Sequence, residues 1–197
     1  MNDEDIKMNV SKKHNLRDIL YNPVPLKVLS FFSLNPSDNF LASEISKAVS
    51  ASKGATHQAL QLLIEFEIVR RKAKGNLFLY KVNEDSPVLK NFKMFENFLQ
   101  LQPLLKQLKR YAYQIVLFGS CASGENTEQS DIDLFIKTED KDKVEKIISK
   151  FAQNGKRINA AIYDALEAVS LQKEDKHFFE QIKKGITLWE GKPEHEE

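Results

Sequence analysis

Val116-Leu117-Phe118-Gly119-Ser120, followed after Cys121 to Ser130 by Asp131-Ile132-Asp133-Leu134, decides the fold of this 197-residue chain. The apolar run Ile115 to Phe118 has the character of a buried strand and stops abruptly at Gly119-Ser120. A glycine there lets the backbone turn tightly and a phosphate approach, and the Ser120 amide and hydroxyl can donate to phosphate oxygens where a helix begins. Asp131 and Asp133, at i and i+2 on a second strand, project both carboxylates from one face. Such a pair repels itself unless a divalent cation neutralises it, and hard oxygen ligands suit magnesium or manganese. A metal beside a loop that cradles phosphates is the equipment for nucleotidyl transfer. Gly119 and Ser120 are therefore the expected nucleotide-binding pair, and Asp131 and Asp133 the expected metal ligands and catalytic groups. Taken alone, Gly-Ser or Asp-x-Asp is usually a turn or a solvated strand end; the two together on strand ends are specific.

Around this core the C-terminal half alternates. A strand at Gln114 to Phe118 leads to a loop and short helix, then a strand at Ile132 to Lys137, a helix at Lys141 to Gln153, a strand at Arg157 to Tyr163 and a helical tail. That order predicts a mixed α/β domain around a small sheet.

Upstream the pattern differs. Leu26, Val28, Leu29 and Phe32 recur at helical spacing after Pro25, and Asn35-Pro36-Ser37-Asp38 stops that helix. A second helix fits Ala42 to Val49. A third fits Lys53 to Phe66, with Ala55, Ala59, Leu62, Leu63 and Phe66 as its apolar face. Strands at Ile68 to Ala73 and Leu77 to Val82 flank the hairpin signal Lys74-Gly75-Asn76. Three helices and a hairpin in that order spell a winged helix-turn-helix. In such a fold the third helix enters the major groove and the wing contacts the backbone or minor groove. Lys53, Thr56, His57, Gln58 and Gln61 are the expected exposed positions of that helix, and Arg70, Arg71, Lys72 and Lys74 the phosphate-contacting residues of the wing. No acidic residue falls between Arg70 and Lys81, which favours double-stranded DNA as a partner over a packing domain with a solvated basic face.

Between the halves, a helix from about Val88 to Leu101 carries Phe92, Phe95, Phe98 and Leu99, and a second, basic helix with Lys106, Lys109 and Arg110 follows Pro103. The aromatic stretch reads as interdomain or dimer core.

Val116 to Ser120 with Ser130 to Leu134 resembles the minimal nucleotidyltransferase family of the polymerase-beta superfamily, in the archaeal or bacterial form preceded by a winged helix. The resemblance implies magnesium-dependent transfer of a nucleoside monophosphate from a triphosphate to a hydroxyl, and, by analogy with antitoxins of that family, a small helical toxin as a conceivable partner. Two residues depart from the pattern. Ser123 stands where a triphosphate-binding arginine is common, and Asn159 matches the third carboxylate, a metal ligand or general base. An amide cannot take a proton from a hydroxyl near neutral pH. Asp164, just past that strand, is the alternative third carboxylate. Two functions stay open: a DNA-binding nucleotidyltransferase, or a transcriptional regulator whose transferase domain only binds nucleotide or dimerises.

The expected fold class is thus α+β: a polar arm at 1–20, a winged helix-turn-helix at 21–87, linking helices at 88–110, a nucleotidyltransferase-like domain around a small mixed sheet at 111–192, and an acidic tail at 193–197. A formal net charge of +1 says little about partners, and the lone Cys121 excludes an internal disulfide and a cysteine metal site. No signal-like or membrane-length apolar run is present, so a cytoplasmic protein with no membrane partner is the expectation, with a homodimer a further one because winged helices often pair on palindromic sites.

Overall fold

The computed structural model describes residues 23–152, 155 and 157–193. The arm expected at 1–20 and, of the tail expected at 193–197, residues 194–197 lie outside the described residues.

Helix α1 (Val24–Leu34) begins between Pro23 and Pro25, where a proline's missing N–H costs nothing because first-turn amides have no intrahelical partner. Strand β1 (Phe40–Leu41) leads into α2 (Ala42–Ala48), whose Glu44 carboxylate accepts from the Leu41 amide at 2.7 Å. Helix α3 (Lys53–Glu65) is capped by the Ser52 hydroxyl, which accepts from the Ala55 amide at 3.2 Å. Strands β2 (Val69–Lys74) and β3 (Leu77–Val82) form an antiparallel hairpin through Gly75-Asn76, with Gly75 at φ +61°. A glycine with positive φ at the first turn position is the backbone such a two-residue connection requires. The sheet runs β1-β3-β2 and closes over a core centred on Val28, Phe32, Ile45, Leu60 and Tyr80.

The buried stripe of α3 differs from the expected one. Thr56, Ala59, Leu60 and Leu63 face inward, whereas Leu62 and Phe66 are 47% and 69% exposed. Positions i, i+3, i+4 and i+7 from Thr56 make one continuous face. Thr56 can occupy it because its hydroxyl donates back to the Ser52 carbonyl at 3.0 Å, leaving only its methyl for the core. Thr56 is therefore not an exposed DNA-facing residue.

Helix α4 (Pro87–Leu108) is one element where two linking helices were expected. Pro103 removes one backbone bond and crowds the preceding turn, at roughly 3 kcal/mol. Leu101, Leu104, Leu105 and Leu108 around it are all buried, and about 1.5–3 kcal/mol per buried leucine outweighs that cost.

The second sheet consists of β4 (Ala112–Phe118), β5 (Ile132–Thr138), β6 (Ile158–Tyr163) and β7 (Ile186–Glu190), in the order β6-β5-β4-β7. It is mixed: β5 and β6 are parallel, joined across α6 (Lys141–Ala152), and the other pairs are antiparallel. Alternate residues feed two cores. Ile115, Leu117, Leu134 and Ile136 pack with α4 and α6, while Val116, Phe118 and Phe135 pack with α7 (Ala165–Glu174) and α8 (Lys176–Lys183). The expected helical tail is thus two helices and an edge strand. Strand β7 docks because Gly185 lacks a side chain that would strike the Leu117 carbonyl, and because the Trp189 indole donates to the Ala112 carbonyl at 3.1 Å. No helix among the described residues is long and apolar enough to cross a membrane.

If the leucines around Pro103 hold α4 together, Leu104→Ala should lose about 2–5 kcal/mol of stability. Denaturant unfolding followed by Trp189 fluorescence measures this, and a loss below about 1 kcal/mol would show that Pro103 breaks the helix in solution.

Candidate nucleotide and metal site

The registers of the second sheet bring three predicted residues to one end. Phe118 pairs with Asp133, and Asp133 pairs in turn with Asn159. Gly119 then follows directly after β4, at φ +68°, opening the short helix α5 (Gly119–Ser123). A Cβ at residue 119 would overlap the Asp133 carboxylate, so this position needs glycine twice over: for its backbone and for the carboxylate it lets in. Ser120 is half-buried in the first turn of α5.

Each carboxylate has a fixed neighbour. Asp133 Oδ1 accepts from Asn159 Nδ2 at 3.0 Å, and Asp131 Oδ1 lies 2.8 Å from Arg157 Nε. The Arg157 contact falls off the N–H axis, so no hydrogen bond to Asp131 Oδ1 accompanies it and the attraction is one of charge. Asp131 lies just before β5 rather than on it. Arg157 also donates to the Gln129 carbonyl at 3.3 Å, which ties the loop before Asp131 to the start of β6.

Asp164 does not join this group. It caps α7 by accepting from the Glu167 amide at 2.9 Å, and it pairs with Lys141 at 3.3 Å. The amide of Glu167 first, and Lys141 after it, hold its carboxyl below the usual carboxylate range. Lys141 contacts Glu167 as well, and that contact lowers the Glu167 pKa and raises that of Lys141. Asp164 also follows the far end of β6, roughly 16 Å along the strand from Asn159. No three acidic, histidine or cysteine side chains converge among the described residues. The donors at the sheet end are therefore two carboxylates and one amide. That set fits a single hard divalent cation completed by phosphate oxygens and water, the usual way magnesium is held beside a phosphorylated ligand.

A cleft of about 690 Å³ opens at this end of the sheet. Gly119, Ser123, Asp133 and Asn159 line it, and α8 with the residue after it contributes Phe178, Gln181 and Lys184. Ser120 and Asp131 are beside this cleft and not on its wall. The Phe178 ring packs edge-on to Phe118 with centroids 5.5 Å apart. The sequence assigns no role to Arg157, Phe178, Gln181 or Lys184. Nothing in local spacing marks them, since they reach the site only through the parallel pairing of β6 and the docking of β7.

The loop after α5 is clamped by α4. Asn97 Nδ2 donates to the Cys121 carbonyl at 2.9 Å and to Asn126 Oδ1 at 3.1 Å, and Lys93 Nζ donates to the Asn126 carbonyl at 2.8 Å. Lys93 is buried, which lowers its pKa. Gly124, at φ +70°, lies so close to the Lys90 carbonyl that a side chain would overlap it. Ser123 donates to Glu125 at 3.3 Å, and Glu125 pairs with Lys90 at 2.9 Å; that pair lowers the carboxyl pKa and raises the ammonium pKa.

In the N-terminal half, Lys53, His57, Gln58 and Gln61 are exposed on α3. Lys53 and His57 border a groove of about 380 Å³ shared with Asn76, Leu77 and Phe78 at the hairpin tip. Arg70, Lys72 and Lys74 lie on one face of β2, while Arg71 lies on the other with its guanidinium 4.8 Å from the centre of the Phe78 ring. The basic residues of the hairpin are therefore divided between two faces.

Residues 100–194 match the family model described as nucleotidyltransferase domain. No curated protein matches the chain significantly. Among solved structures, the chain is similar to a Sulfolobus solfataricus protein described as a "putative nucleotidyltransferase", at 15% identity over 51% of this chain and 86% of that one, with a TM-score of 0.36. It is also similar to human N-acetylserotonin methyltransferase, at 13% identity over 49% of this chain and 33% of that one, with a TM-score of 0.29.

Gly119→Ala is expected to displace the Asp133 carboxylate while the two cores stay intact. Calorimetric titration with magnesium and a nucleoside triphosphate should show binding at least about tenfold weaker than in the parent, a difference of about 1.4 kcal/mol. Unchanged binding would remove Asp133 from the site.

Proposed function

We propose that the chain is a DNA-binding nucleotidyltransferase: the C-terminal domain binds a magnesium-complexed nucleoside triphosphate and transfers its nucleoside monophosphate to a hydroxyl, and the N-terminal half, a winged helix-turn-helix, holds duplex DNA. The observation that carries the first part is the convergence of Gly119, Asp133 and Asn159 at one end of a mixed sheet, beside a cleft of about 690 Å³. In the transfer the acceptor oxygen attacks the α-phosphorus, the bond to the β-phosphate oxygen breaks, pyrophosphate departs and the hydroxyl proton passes to solvent. A magnesium ion held by Asp131 and Asp133 would offset charge on the phosphate oxygens. Gly119 leaves room for a phosphate to approach the backbone, and Asn159 orients Asp133 through its hydrogen bond. Asn159 is no base, so the acceptor is not activated by a side chain there, and slow turnover follows.

The order α1-β1-α2-α3-β2-β3 supports the winged-helix reading. The exposed Lys53, His57, Gln58 and Gln61 on α3, with Arg70, Lys72 and Lys74 on the hairpin, suit the groove and the phosphates respectively.

A second reading, a transcriptional regulator that senses nucleotide without turnover, is favoured by the Asn159–Asp133 bond together with α4. That helix clamps the loop 121–126 and also contributes Leu89 and Phe92 to the N-terminal core, while its Glu96 accepts from Ser30 at 2.7 Å. One rigid element therefore touches both the site and the N-terminal half.

Labelled triphosphate, magnesium and hydroxyl acceptors separate the readings. Transfer that disappears in Asp131→Ala supports the enzyme; triphosphate binding without transfer supports the sensor; neither binding nor transfer ends both. For DNA, the logarithm of affinity should fall linearly with that of salt concentration. Arg70→Ala with Lys72→Ala should flatten the slope by about 2, near 0.9 for each phosphate that is no longer neutralised. A slope that does not change removes the hairpin from the interface.

A further inference from the structure

We infer that Lys184 is the phosphate-binding cation of the cleft, taking the place of the arginine that this chain lacks at Ser123. The inference rests on the nucleotide reading above and goes beyond it by assigning the counter-charge to a residue of a different element. Asp133 and Lys184 are the only charged residues among those lining the cleft, and they come from different elements, β5 and the end of α8. A triphosphate held at Asp133 through a cation still carries excess negative charge, and Lys184 is the side chain on the wall able to offset it.

The position of Lys184 is fixed although its side chain is long. Lys184 closes α8, with its amide bonded to the Glu180 carbonyl, and the next residue, Gly185, is packed against the Leu117 carbonyl so closely that no Cβ fits. The Lys184 backbone is thereby pinned near Leu117, two residues before Gly119. The neighbouring Lys183 points elsewhere: its ammonium pairs with Glu180 at 3.6 Å and lies 5.5 Å from the centre of the Phe179 ring. Lys184 has no ion pair among the described residues, and it is exposed, so its ammonium is available to a ligand without breaking a structural contact. Ser123, in contrast, is engaged with Ser120 and Glu125, and the nearby Lys90 is neutralised by Glu125. Neither brings net positive charge to the cleft.

An ammonium at the end of α8 also interacts favourably with that helix's C-terminal carbonyls, a purely structural role. The two roles differ in what they do to ligands of different charge. Fluorescent nucleoside triphosphates and the corresponding monophosphates, titrated with magnesium into the full chain, provide the test. Lys184→Gln should weaken triphosphate binding about tenfold, or about 1.4 kcal/mol, and leave monophosphate binding within about twofold. Lys184→Arg should retain most of the triphosphate affinity. Equal losses for both ligands in Lys184→Gln, or triphosphate affinity within about twofold of the parent, overturn the assignment while the nucleotide reading stands. A parent protein that binds no triphosphate overturns both.

Discussion

Asp133 is held by two contacts made by the polypeptide itself: its carboxylate packs over the bare Cα of Gly119, and its Oδ1 accepts from Asn159. Everything else at the sheet end follows from that placement. A side chain at residue 119 would force either the α5 turn or the carboxylate away. The parallel β5–β6 pairing that puts Asn159 opposite Asp133 also brings Arg157 to Asp131. The two negative charges are thus met by one hydrogen-bond donor and one guanidinium. A third acid in place of Asn159 would replace that donor with a further negative charge beside Asp133, the kind of charge a divalent cation offsets.

Helix α4 extends the consequence through the molecule. Its leucines around Pro103 fill the core beneath the second sheet, its amide and lysine side chains fix the loop 121–126, and its first turns belong to the N-terminal core. Lys93 is buried against a single carbonyl at a cost in desolvation, and the exchange secures the loop that follows Gly119. A change in that loop meets a rigid helix instead of solvent.

Much of this is legible in the residues, and the limits have physical reasons. The strands β4, β5 and β6 are mostly apolar, and Gly119, Asp131 and Asp133 can be singled out from their positions at or near strand ends, whereas Ser123 and Asn159 stand out only through the family resemblance. Thr56 escapes the pattern because a hydroxyl that bonds its own helix can be buried like an aliphatic side chain, which shifts the inward stripe of α3 to Leu60 and away from Leu62. Pro103 suggests a helix end, but four buried leucines override a single missing hydrogen bond. Strand β7 gives no clear signal, being short, at an edge and dependent on Gly185. Phe178, Gln181 and Lys184 reach the cleft through that docking, so no local pattern could have announced them.

The central claim, that Asp133 and its neighbours form a cation-assisted phosphate site with an amide where a further carboxylate would complete it, is tested most directly by manganese affinity. Electron paramagnetic resonance would read it for the parent and for Asn159→Asp, each with a non-hydrolysable nucleoside triphosphate present. A carboxylate beside Asp133 should tighten cation binding about tenfold, or about 1.4 kcal/mol. Equal affinity in the two proteins would contradict the placement of a cation at Asp133.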